Sequence, residues 1–113
     1  MPYVQVNLSQ TLSDEQKNAV YDLINGSIPL IPGKTPEVTM INIADGCSMR
    51  MGYSPDPTIF IDVRLFRQAP YESKNDFVRE VTKSLASMFG VKPGNIYINI
   101  TEHNNWGSNG ALR

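Results

Sequence analysis

Thr58-Ile59-Phe60-Ile61-Asp62-Val63-Arg64-Leu65-Phe66 alternates with a period of two, and this alternation decides the fold. Ile59, Ile61, Val63 and Leu65 fall on one face of a strand, and Phe60, Asp62 and Arg64 on the other. Downstream the period changes. Phe77, Val78, Val81, Leu85 and Met88 recur at helical spacing, which predicts a helix from about Ser73 to Phe89 that Gly90 ends. Alternation then returns from Asn95 to Thr101, with Ile96, Ile98 and Ile100 opposite Tyr97, Asn99 and Thr101. Upstream the same order is found. Val4, Val6 and Leu8 share one face of a strand over Tyr3 to Leu8. Ser13-Asp14-Glu15-Gln16 reads as a capping box, in which the Ser13 hydroxyl and the Gln16 side chain satisfy each other's orphan amides. Ala19, Val20, Leu23 and Ile24 form the stripe of that helix, Asn25-Gly26 is its stop, and a second strand follows from about Val38 to Ile43. Between the halves, Asp45 to Pro57 is turn-rich, and Pro55 and Pro57 exclude a helix there.

The expected fold is therefore α+β in two layers: a tandem β-α-β repeat with halves over about residues 1–44 and 57–101 of a single domain, 1–113. Crossover helices join parallel strands, and both helices should cover the isoleucine face of one four-stranded mixed sheet. The opposite face would carry Phe60, Asp62, Arg64, Tyr97 and Asn99. Aromatic residues on an open sheet face are covered most economically by self-association.

Composition narrows the function. Ten basic and eleven acidic residues leave a net charge of −1, which argues against nucleic acid or a membrane surface as partner. The first twenty residues have no apolar core of a signal peptide, and no run reaches transmembrane length, so a cytoplasmic protein is expected. Cys47 and His103 are each the only residue of their kind. An internal disulfide is thus excluded, and a His-rich metal site or a Ser-His-Asp triad finds little support. Cys47 reads as a partly buried thiol and His103 as a surface imidazole.

Met1 precedes Pro2, a residue small enough for the initiator to be trimmed. A free α-amino group titrates near ~8, well below lysine, and burial or nearby cations lower it further. Removal of Met1 would leave Pro2 as a secondary amine, rigid because its ring fixes φ, that can act as a neutral base. Lys34 follows a Pro-Gly turn, Arg64 lies in a strand and Arg67 at its end. Singly these are ordinary surface charges, but together they form a carboxylate-binding set. Tyr97 and Asn99 share one side of the last strand and offer neutral donors to an oxygen that gains charge. Trp106 is a packing anchor for the tail or the wall of an apolar pocket.

In order along the chain, Met1-Pro2-Tyr3-Val4, Ile31-Pro32-Gly33-Lys34, Met40-Ile41-Asn42 with Asp45-Gly46-Cys47, Asn95-Ile96-Tyr97-Ile98-Asn99 and Trp106-Gly107 resemble the tautomerase superfamily. Within it they are most similar to the group of macrophage migration inhibitory factor and bacterial phenylpyruvate tautomerases. The resemblance implies a homotrimer with sites between subunits, Pro2 as general base, Lys34 as the active-site lysine, Tyr97 donated by a neighbouring subunit, and Asn99 in the pocket. The expected activity is keto–enol tautomerisation of a 2-keto acid such as phenylpyruvate, with no metal or organic cofactor. Arg64, Arg67 and Trp106 would contact substrate. Arg64 departs from the closest pattern, and with Arg67 it resembles the arginine pair of cis-3-chloroacrylic acid dehalogenase relatives. No residue matches that group's water-activating acid, although Glu102 is nearby in sequence, and hydration chemistry is the weaker reading. The alternatives are accordingly a small-acid dehalogenase, hydratase or decarboxylase, or a trimeric binding or signalling module with vestigial activity.

Overall fold

The computed structural model describes residues 1–113. β1 (Pro2–Leu8), α1 (Asp14–Ser27) and β2 (Met40–Ala44) form the first half, and β3 (Ile59–Phe66), α2 (Tyr71–Phe89) and β4 (Ile96–His103) the second. Two short strands, β5 (Gly107–Ser108) and β6 (Ala111–Leu112), add a C-terminal hairpin outside the expected repeat. The four long strands make one sheet in the order β2-β1-β3-β4. Within each half the strands are parallel, and the halves meet through β1 and β3, which run antiparallel. The sheet is mixed, as expected.

The period-two alternation has its physical outcome in burial. Val4, Val6 and Leu8 of β1 and Ile61, Val63 and Leu65 of β3 are fully buried under Val20 and Ile24 of α1 and Phe77, Val81 and Leu85 of α2. A two-layer protein of this size buries roughly two-thirds of its unfolded surface, and nearly all the apolar share sits in this one interface. Toward the β4 edge the cover thins, and Ile98 and Ile100 are only partly buried.

Four boundaries differ from the sequence reading. α1 passes through Gly26 to Ser27 and runs on into a 3-10 turn, Ile28–Leu30, because burial of Ile28 outweighs the local stop signal. β2 begins at Met40 rather than Val38, because Pro36–Val38 close a 3-10 turn in which the Thr39 amide donates to the Pro36 carbonyl. α2 starts at Tyr71, two residues before Ser73. Pro70 stands at its N-cap with no side-chain cap bond, and just before it the Ala69 amide donates to the distant Glu102 carboxylate at 2.6 Å, which also pairs with Lys74 at 3.1 Å. β4 runs on to His103 because β3 continues to Phe66 and supplies its partner. Met88, placed in the α2 stripe, is exposed, and Phe89 packs on the core instead.

The face of the sheet away from the helices is mostly polar. Asn42 donates to the Tyr3 hydroxyl, Tyr3 to Gln5 and Gln5 to Asn7, while Asp62 accepts from both Arg64 and Asn99. Tyr97, 59% exposed, and Met40 are large side chains left open on it. No helix is long and apolar enough to cross a membrane.

Candidate functional site

Proline lacks the amide that a central strand needs, so it is tolerated only where a strand begins. Pro2 is the first residue of β1, buried, and registered with Leu65 at the far end of β3. The residue before it is held as well, since the Phe66 amide donates to the Met1 carbonyl at 3.3 Å. The chain terminus is therefore fixed at one end of the sheet. Burial, and then the nearby Lys34 ammonium, hold the Met1 amine below its ordinary value.

Lys34 arrives there through a tight turn. The Lys34 amide donates to the Ile31 carbonyl at 3.1 Å, with Pro32 and Gly33 between them and Gly33 at φ 78°. Only glycine takes that φ at no steric cost, and Pro-Gly is the type II signature. The Lys34 ammonium then donates to the Phe66 carbonyl at 2.7 Å, alongside Met1. Burial and the Arg67 guanidinium lower its pKa, with Glu102 opposing them. Arg67 itself has φ 70°, in the left-handed region that non-glycine residues avoid at a cost of roughly 1–2 kcal/mol. Its amide is locked to the His103 carbonyl at 2.7 Å, and its guanidinium lies over the Phe66 ring. A strained backbone, a partly buried lysine and the chain terminus meet at one sheet end, and such strain persists only where the surroundings enforce it.

Beside this cluster, on the open face, is a cavity of about 780 Å³ whose walls include Met1, Tyr3, Met40, Arg64, His103 and Trp106. Arg64 is oriented along its own strand by Asp62, at 3.2 Å from both Nε and Nη2, and lies over the Tyr3 ring. Trp106, just after β4, meets the His103 ring edge-on with centroids 6.0 Å apart. No carboxylate lines the cavity, and no three His, Cys, Asp or Glu side chains converge as a metal-ligand set. The site is cationic and aromatic, suited to a small anion with an apolar body.

Of the residues singled out in the sequence, Pro2, Lys34 and Arg67 come together at the sheet end, and Arg64 and Trp106 line the adjoining cavity. Tyr97 and Asn99 do not join them within one chain. They register with Phe60 and Asp62, so Tyr97 sits six residues, on the order of 20 Å, back along β4 from the cavity. Glu102 is engaged by the Ala69 amide and Lys74, which hold its carboxyl below the usual range. His103 is exposed, as the sequence reading had it, and its ring also lines the cavity. Its signal in the sequence was indirect: it follows the last alternating position of β4 and precedes Trp106 by three residues.

No protein-family model matches the sequence. No curated protein matches it either. Solved structures do. The chain is similar to MIF2 of Leishmania major, with a TM-score of 0.91 and 17% identity over 100% of this chain and 97% of that one. It is similar to N1, a member of the cis-3-chloroacrylic acid dehalogenase family, at TM-score 0.79 and 17% identity over 97% and 82% of the two chains. A fused wild-type 4-OT gives a TM-score of 0.83 at 20% identity, covering 96% of this chain and 94% of that one. The agreement in fold over the full length stands against low identity, and the chain has the fold of the tautomerase superfamily.

Proposed function

We propose that the protein is a keto–enol tautomerase acting on 2-keto acids such as phenylpyruvate, with the Pro2 amine as general base once Met1 has been removed. The observation that carries this reading is the position of Pro2 at the sheet end beside Lys34, where burial and then that ammonium already lower the pKa of the Met1 amine one residue before it. An amine in its neutral form can take the proton from the carbon next to a carbonyl and return one to it. Lys34 and Arg67 hold the substrate carboxylate, with Arg64 as helper. The cavity walled by Tyr3 and Trp106 takes the apolar body of the substrate.

Tyr97 and Asn99 serve as oxygen donors only if another copy brings them to the site, since within the chain they lie at the opposite end of β4. We therefore infer a homotrimer with sites between subunits. The fused 4-OT neighbour is an asymmetric trimer, and Tyr97 exposed on the open face suits a subunit contact. A cytoplasmic location is part of the same reading, a single free cysteine being at home in a reducing compartment.

The arginine pair Arg64 and Arg67, with the dehalogenase-family neighbour, supports a second reading in which the same amine acts on a small unsaturated acid. Against it, the Glu102 carboxylate is spent on Ala69 and Lys74 rather than free to activate water. The deciding measurement is ultraviolet-monitored conversion of phenylpyruvate on protein whose N-terminus is defined by intact mass. Pro-terminal protein should turn over phenylpyruvate, and Pro2→Ala should lose about 100-fold or more in kcat. Turnover of 3-haloacrylates with none of phenylpyruvate would move the assignment to the second reading.

A further inference from the structure

Tautomerisation moves two protons, one at carbon and one at oxygen, and each needs a group within reach. The amine at the sheet end serves the carbon. Within the same chain the oxygen has a nearer partner than Tyr97. His103 closes β4 directly opposite Phe66, and the Phe66 amide is bonded to the Met1 carbonyl. Met1 and His103 thus flank one strand, about 10 Å apart at the backbone, and both line the same cavity, at the end of β1 where removal of Met1 would leave the Pro2 amine.

The imidazole is also prepared for such a role. Its backbone is pinned by the 2.7 Å bond from the Arg67 amide, its Nε2 lies 3.2 Å from Thr101 Oγ1, and Trp106 abuts the ring. The other ring nitrogen, Nδ1, has no hydrogen-bond partner in the chain. Neither nearby carboxylate competes for it, since Asp62 is taken by Arg64 and Asn99, and Glu102 by Ala69 and Lys74. Arg67, to which the tautomerase reading gives the substrate carboxylate, is joined to His103 through its backbone amide, so a 2-keto acid held there would bring its adjacent carbonyl oxygen toward the ring.

We propose that His103 is the catalytic residue that exchanges the proton on the substrate oxygen, the counterpart of the Pro2 amine; this assignment rests on the tautomerase reading above. In the enolising direction Pro2 takes the C3 proton and the C–H electron pair becomes the C2–C3 double bond. The carbonyl π pair moves to oxygen, which receives the proton from the imidazolium. In the ketonising direction the imidazole takes the enol proton while the protonated amine delivers one to C3. No oxidant or co-reactant enters.

The test is steady-state kinetics of Pro-terminal wild type, His103→Ala and His103→Gln with phenylpyruvate, with and without added imidazole. Both variants should lose about 100-fold in kcat with KM nearly unchanged, and imidazole should restore His103→Ala in a dose-dependent way. Unchanged kcat, a loss confined to KM, or a kcat loss that imidazole does not restore would each overturn the assignment. Wild type lacking turnover would sink the tautomerase reading and this one with it, and that result is visible before any variant is made.

Discussion

Arg67 holds a left-handed backbone that a glycine would take without cost, so its guanidinium is kept at the expense of local strain. Arg67→Gly should keep or slightly raise stability, the relief of strain being partly offset by chain entropy, to within about 1 kcal/mol in urea denaturation. The same variant should raise KM for 2-keto acids by roughly tenfold, the worth of one charge-assisted contact. A variant that lost stability without a change in KM would remove Arg67 from the substrate subsite. Lys34 acts on its neighbour through charge. Its ammonium disfavours protonation of the terminal amine, so removing it lets that pKa rise and the active neutral fraction appear at higher pH. In Lys34→Gln the rising limb of the pH–rate profile should therefore move to higher pH. A limb that stays in place would mean that burial alone sets the amine.

At the scale of elements, helix starts show two kinds of specification. α1 carries its own: the Gln16 amide donates to the Ser13 hydroxyl at 3.1 Å, and the Ser13 amide to the Gln16 side chain at 2.8 Å. This box is written in four consecutive residues and was legible as such. Ser13→Ala should cost about 1 kcal/mol by chemical denaturation, with Gln16→Ala adding less than the sum because the two bonds are reciprocal. α2 has no such signature: its N-cap Pro70 makes no side-chain bond, and the Ala69 amide that leads into it depends on Glu102, 33 positions away. That dependence cannot be read locally, and the start was misplaced by two residues in consequence. Its end is local again: Gly90 takes φ 65° as a left-handed cap.

At the scale of the molecule, one chain holds Lys34 and the N-terminus at one end of the sheet and Tyr97 at the other. If sites are shared between subunits, two differently inactive proteins can complement. Pro2→Ala and Tyr97→Phe, unfolded together and refolded as a mixture, should regain activity that neither has alone, because some interfaces then pair an intact Pro2 with an intact Tyr97. Separately refolded and pooled proteins serve as the control. Mixtures no more active than this pool would count against shared sites, and a monomer by light scattering would do so more directly.

The alternation of β1, β3 and β4 and the helical spacing between them determined the β-α-β repeat and its buried face, because these periods are set by backbone geometry and require no partner. The Pro-Gly turn before Lys34 was equally plain, since its φ demand is met by one residue type. The tertiary structure alone decided that the halves join antiparallel through β1 and β3, that Arg67 bends back to the His103 carbonyl, and that the exposed His103 ring borders the cavity beside Trp106. Those facts depend on which strand edges meet and where the tail carrying Trp106 settles. Both are fixed by contacts far apart in the chain, for which neighbouring residues carry no signal.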